Sequence, residues 1–269
     1  MKGEAMMNKQ VWRVTPAILA VVALFLLLAC SKKPTEETTA GGGSTTAAVD
    51  KSQAGGITGT VKFTGAKPAP KKIDMAQDPV CAKKGQNTTD TLMGNGDALA
   101  NVYVYVNNAP AGGEAPTAKV TIDQEGCRYH PHVLAMMTNQ PLEIKNSDPT
   151  THNIHPTPDP DSGNREWNES QGPGAAPLEK TFSRPEVMLP VKCNQHPWMK
   201  MYINVSKSPY YAVTGPDGKF EIKDLPPGSY TLVAVHESQG KKTQSVTIAP
   251  KQTQNVDFSF GGGGAGGSK

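Results

Sequence analysis

Two hydrophobic patterns divide the chain. Residues 17–29 are almost uniformly apolar and follow a stretch carrying Lys2, Lys9 and Arg13. A basic end followed by a short apolar run has the order of an export signal. The run is too short to span a bilayer comfortably, so a transmembrane anchor is the weaker reading. From Ile57 onward the period is two. Ile57-Thr58-Gly59-Thr60-Val61-Lys62-Phe63 alternates, and so does Leu142-Glu143-Ile144-Lys145-Asn146. Val102-Tyr103-Val104-Tyr105-Val106 is β-branched and aromatic throughout, which suits a central strand. Further strands are expected at 120–122, 132–137, 187–191, 201–205, 212–214, 220–223, 230–236, 243–248 and 255–260. Gly215-Pro216-Asp217-Gly218 and Leu225-Pro226-Pro227-Gly228 read as turns. The pattern predicts an all-β chain without a helix longer than a turn or two.

Three stretches have no period. Residues 31–56 are rich in Thr, Ala, Gly and Ser and read as a flexible tether, and 261–269 as a flexible tail. Residues 156–177 are rich in Pro, Gly, Asp and Asn and read as a long loop. Trp167 in that loop either pins it to the body of the protein, the favoured reading, or stands exposed as a partner contact. Composition agrees: 36% hydrophobic residues is low for a wholly globular chain of 269. The formal charge of +3, with both signs interspersed, is too mild for a nucleic-acid partner.

The chemistry concentrates in Cys193-Asn194-Gln195-His196-Pro197-Trp198-Met199. A thiol, an imidazole and a thioether within seven residues are the donors of a mononuclear copper site, in which His₂Cys is completed by a weak axial Met. The second imidazole is expected upstream, in Asp148-Pro149-Thr150-Thr151-His152-Asn153-Ile154-His155. His152 and His155, three apart on an extended chain, point to opposite faces, so only one of them reaches the metal. Against this stands the reading of Cys193 as a structural thiol, with His196 and Met199 as core residues.

These two segments resemble the copper-binding loops of the blue-copper proteins (cupredoxins), those of the amicyanin and plastocyanin kind above all. The resemblance implies copper as cofactor, a Greek-key β-sandwich, and His152, Cys193, His196 and Met199 as its ligands. It implies His152 rather than His155. Asn194 and Gln195 stand where such proteins often have Thr-Pro or Ser-Pro, which bears on tuning rather than on the ligand set. His196 is expected near the surface as the electron port, rimmed by Pro197 and Trp198, and Asn153 as a brace between the two segments, with an ordinary turn asparagine as its alternative. His130 and His132 read as strand-end residues, with a second metal site as the alternative, and His236 as structural. The run from Asp217-Gly218 to Leu225-Pro226-Pro227-Gly228-Ser229-Tyr230 resembles the carboxypeptidase regulatory-like (transthyretin-like) β-sandwich. Taken together, 56–260 resembles a group of bacterial exported proteins labelled methylamine-utilisation-like.

Leu27-Leu28-Ala29-Cys30 resembles a bacterial lipobox, which implies lipidation of Cys30 and an anchor in the cell envelope. By family analogy the location is the outer membrane, facing periplasm or cell surface. With Cys30 assigned to lipid and Cys193 to copper, Cys81 and Cys127 remain in an oxidising setting and are expected to pair. Two free thiols are the alternative, or a pairing with Cys193 if the copper reading fails. The expected order is a signal peptide at 1–29, a lipidated linker at 30–56, a cupredoxin-like domain at 57–207, a smaller transthyretin-like module at 208–260 and a tail at 261–269. Residues 57–64 are candidates for the smaller module. The expected function is single-electron transfer with a c-type cytochrome or a dehydrogenase as neighbour, and no enzymatic activity. Copper storage or delivery, and a metal-free surface binding module, are the competing functions.

Overall fold

The computed structural model describes residues 51–261, apart from 85, 86, 90, 91 and 111. The expected leader, the expected lipidation at Cys30, most of the expected tether and the expected tail lie outside the described residues. Among those described, no helix is long and apolar enough to cross a membrane. The fold is nearly all β, and its strands form two β-sandwiches.

In the first sandwich, Gly55–Thr64 lies between Lys219–Leu225, antiparallel to it, and Thr253–Asn255, parallel to it. Phe258–Gly261 continues along its second half, also parallel. The facing sheet has the order Tyr211–Val213, Tyr103–Val106, Gly228–His236, Gly240–Ile248. The alternation of Ile57 and Val61 with Thr and Lys turns the apolar side chains into a core shared with Val104, Phe220, Leu232 and Phe260. Gly59 is required by close approach, because a Cβ there would lie 1.9 Å from Val256 O. The 215–218 turn closes with Gly218 N–H donating to Gly215 O at 2.9 Å, with Pro216 in its second position and Gly218 at φ +71°. After Leu225-Pro226-Pro227-Gly228, the Tyr230 hydroxyl donates to Pro226 O at 2.8 Å and locks the corner.

In the second sandwich, one sheet runs Val133–Met137, Lys200–Ser206, Glu186–Lys192, His152–Pro156, Glu169–Gln171. The other runs Arg128–His130, Val120–Glu125, Leu142–Asn146, Leu178–Lys180. Ile122, Met136, Leu142, Ile144, Leu189 and Ile203 fill the space between them. The Val120–Glu125 and Arg128–His130 strands are joined through Gly126 (φ +63°) and Cys127 (φ +57°), the two positive-φ residues of a type I′ hairpin. Cys127 is bonded to Cys81 across a separation of 46 residues.

The expected division at 207/208 differs from the pairing. Gly55–Thr64 belongs to the first sandwich, and so does Tyr103–Val106, which occupies a central place between Tyr211–Val213 and Gly228–His236. The reason lies in burial: Val102, Val104 and Val106 are buried against Leu232 and Ala234, which the alternation of a single strand cannot announce. The first sandwich is therefore built from two stretches of chain, and most of the second lies between them. The 156–177 stretch is also not all loop, since Glu169–Gln171 pairs with His152–Ile154.

Candidate metal centre

His152 opens the strand His152–Pro156, while Cys193 to Met199 bridge two neighbouring strands, Glu186–Lys192 and Lys200–Ser206. The bridge is closed on itself. Cys193 N–H donates to Met199 O at 3.2 Å, and Met199 N–H to His196 O at 2.9 Å. His152, Cys193, His196 and Met199 are all 3% exposed or less. The Nδ1 atoms of His152 and His196 face one another at 2.9 Å. Cys193 Sγ lies 3.6 Å from His196 Nδ1, and the three donor atoms fall within 4.8 Å of one another. Met199 is seated in the same core cluster as Cys193.

What decides the chemistry is the far side of each ring. His152 Nε2 lies 2.9 Å from Asp148 Oδ2, and His196 Nε2 lies 3.0 Å from Asp78 Oδ2. Both carboxylates are held as anions. For Asp148, burial works to raise the pKa, but hydrogen bonds from Cys127 N–H, His152, Lys84 and Gly126 N–H outweigh it and keep it below the usual range. For Asp78, burial is likewise outweighed, by Thr150, Val80 N–H, His196 and Cys81 N–H, and the pKa falls to about 2. An anionic carboxylate accepts the Nε2 proton, which leaves Nδ1 of each neutral ring as a lone pair. Two lone pairs 2.9 Å apart repel unless a positive charge lies between them. Burial holds the His152 pKa below its ordinary value, against the pull of Asp148, which disfavours filling that gap with a proton.

The donor spacing is close to what one ion requires, with the two nitrogens at 2.9 Å a little nearer than a bound ion would hold them. Two nitrogens at about 2.0 Å from a common centre lie about 3.3 Å apart in a tetrahedral or trigonal arrangement, and a sulfur at about 2.3 Å lies about 3.6 Å from either. Two imidazoles, a thiol and a buried thioether form a soft set that suits copper better than magnesium or calcium. Cys81 also lies near Asp78 and His196, and Cys127 near Asp148 and His152, but the thiols of both are consumed by the disulfide.

Asn153 spans the two segments. Its N–H donates to Cys193 Sγ at 3.4 Å, and its Oδ1 accepts the Cys193 thiol at 3.2 Å and Asn194 N–H at 2.7 Å. The Tyr129 hydroxyl holds its carbonyl at 2.5 Å. His155 points away, to Asn194 Oδ1 and Glu166 Oε1. His130 is exposed, and His132 pairs with Glu237 at 2.6 Å. Trp167 packs against Phe182. One expectation is corrected: His196 is not at the surface. Asp78, Cys81 and Trp198 cover it, and Gln77 ties the covering segment to the loop at Gln195 O. Sequence reasoning missed both carboxylates. Asp148, four residues before His152 in a turn, left a faint signal, whereas Asp78, 118 residues from its partner, left none.

A family model, the carboxypeptidase regulatory-like domain, matches residues 197–261. The strands Gly55–Thr64 and Tyr103–Val106, which complete that sandwich, lie outside the matched span. Among solved structures, the chain is similar to amicyanin from Paracoccus versutus at 17% identity, over 38% of this chain and 97% of that one, with a TM-score of 0.30. It is similar to a purple cupredoxin from Nitrosopumilus maritimus at 20% identity, over 32% of this chain and 99% of that one, TM-score 0.27. It is similar to a copper-containing nitrite reductase from Thermus scotoductus SA-01 at 22% identity, over 33% of this chain and 22% of that one, TM-score 0.30. No curated protein sequence matches the chain.

Proposed function

We propose that the chain is an exported, lipid-anchored type-1 copper protein that carries single electrons in the cell envelope. The observation that carries this reading is the pair of imidazoles whose Nε2 atoms are committed to Asp148 and Asp78 and whose Nδ1 atoms converge beside Cys193 Sγ. His152, His196 and the Cys193 thiolate would hold the ion, with Met199 as the weak axial donor. When bound, copper supplies a reversible one-electron couple.

The chain's own residues do the rest. Asp148 and Asp78 fix both rings in one tautomer and one orientation. The Gly126 and Cys127 N–H groups, 2.9 and 2.6 Å from the Asp148 oxygens, and Lys84 at 2.9 Å, keep that carboxylate from moving. Asn153 N–H reaches Cys193 Sγ, the atom on which thiolate charge would develop. Burial excludes water, and four protein donors leave no position for a substrate, which supports electron transfer over catalysis. Cys30 would carry the lipid, and a tether of about 25 residues gives the body reach from an outer membrane. The electron partner is proposed to be a c-type cytochrome or a dehydrogenase.

The test is the absorption spectrum after copper(II) is added. Wild type is expected to develop an intense visible thiolate-to-copper band, and Cys193→Ser to lack it. A colourless wild type that takes up zinc with tetrahedral geometry would instead support a structural metal.

A further inference from the structure

If the centre exchanges electrons, the route to it has to be found on a surface where both imidazoles are buried. His152 is 0% and His196 3% exposed. The outward edge of His196 is closed by Asp78 at 3.0 Å and by Cys81 Sγ at 3.9 Å. The segment that supplies them is anchored at three points, through buried Met75, the Gln77 bond to Gln195 O, and the disulfide. One aromatic ring does leave the site. The Trp198 ring centroid lies 5.0 Å from that of His196, at 41°. Its indole N–H donates to Cys127 O at 3.1 Å, which fixes the ring in place. Its other side lines a cleft of about 290 Å³, with Pro197, Arg128 and Lys200 around it.

The exposed charge at the cleft's rim is mainly basic. Glu237, the acidic residue that lines it, is half-buried and hydrogen-bonded to His132 at 2.6 Å. Arg128 and exposed Lys200 line it as well. Exposed Lys71 and Lys72 lie on the segment whose backbone pairs with Thr88 and Thr89 at the cleft's edge. An apolar, aromatic floor with a basic rim fits a partner whose docking face is acidic.

We propose that Trp198 is the electron port, and that this cleft is the docking surface for a redox protein with an acidic face around its own centre. The inference rests on the copper reading. The electron passes between the centre and the partner by way of the adjoining His196 and Trp198 rings, and no bond forms or breaks and no proton moves.

The test uses copper-loaded, reduced protein in a stopped-flow instrument. The probes are hexacyanoferrate(III), an anion, and tris(phenanthroline)cobalt(III), a cation. Each takes one electron, giving hexacyanoferrate(II) or the cobalt(II) complex, while the centre is oxidised. Wild type is expected to react faster with the anion as salt is lowered. In Lys200→Glu, which changes an exposed residue, the anion rate is expected to fall by about three- to tenfold at low salt and the cation rate to rise. Trp198→Leu is expected to lose most of its rate with both probes while keeping the visible band. A Trp198→Leu protein that keeps its band and exchanges at the wild-type rate overturns the port. An anion rate indifferent to Lys200→Glu overturns the docking surface. A wild type that never develops the visible band fails the copper reading itself, which is a separate result.

Discussion

The two sandwiches solve the same packing problem differently. The first is filled by alternation alone, with Ile57, Val61, Val104, Phe220, Leu232 and Phe260 turned inward; Thr214 and His236 are its buried polar side chains among the described residues of those strands and turns. The second buries Gln124, Asn146, Asp148, His152, Asn153, Gln171, His196 and Asn204 as well as an apolar core. Burying polar groups is costly unless each finds a partner, and here the partners come from distant parts of the chain. Asp78 reaches His196 over 118 positions, and Asp148 takes its N–H donors from a hairpin turn 21 and 22 positions away. One sandwich is a scaffold specified by local pattern, and the other a site specified by long-range polar contacts. That contrast can be broken at several points.

The largest effect is expected from removing the disulfide. Cys81 N–H bonds Asp78 and Cys127 N–H bonds Asp148, so the bridge joins the segment that carries Asp78 to the hairpin turn that holds the Asp148 carboxylate. Cys81→Ser with Cys127→Ser is expected to cost about 4 kcal/mol of stability in the chain-entropy model. Copper affinity should fall with it, as measured by denaturant midpoint and competitive titration. An unchanged affinity would show that the carboxylates need no such staple.

Truncation in the scaffold should act on stability only. Leu232→Ala, at a fully buried position, is expected to cost about 3 kcal/mol and leave the visible band of the copper-loaded protein unmoved. A shifted band would mean that the sandwiches are coupled. Asp148→Asn should do the reverse. It keeps the shape but loses the anion, and metal affinity is expected to fall about 10- to 100-fold in a competition assay. Equal affinity in the variant would remove Asp148 from the account.

The smallest effect concerns His236 in the scaffold. Burial depresses its pKa from 6.5 to about 4, opposed by nearby Glu237 and reinforced by His132. The unfolded chain therefore binds the proton more readily between those values. Stability is full above about 6.5 and is lost as pH falls toward 4. Between pH 7 and pH 5 the loss is expected to be about 1–2 kcal/mol, a few degrees in Tm. His236→Asn should flatten that slope in thermal melts, and an unchanged slope would place the titration elsewhere.

How much of this was legible in the chain follows the same division. Strands such as 57–63 and 142–146 could be read because their alternation is local. Cys193, His196 and Met199 could be grouped because they share one short loop, and the family resemblance put forward His152, which the structure does bring beside Cys193 and His196. Which sandwich a strand joins could not. Tyr103–Val106 pairs with residues more than 100 positions later, and nothing in five apolar residues names that partner. The cover over His196 was equally hidden. A surface histidine is the simple expectation for a loop between strands, and only the folded path of 73–82 brings Asp78 and Cys81 over the ring.

The most direct test of the central claim is a crystal structure of copper-loaded protein with anomalous scattering measured at the copper edge. The account predicts one peak per chain within bonding distance of Cys193 Sγ and of Nδ1, not Nε2, of both His152 and His196, with Asp148 and Asp78 still on the opposite edges of the rings. A peak elsewhere, or coordination through Nε2 with the carboxylates displaced, would contradict it.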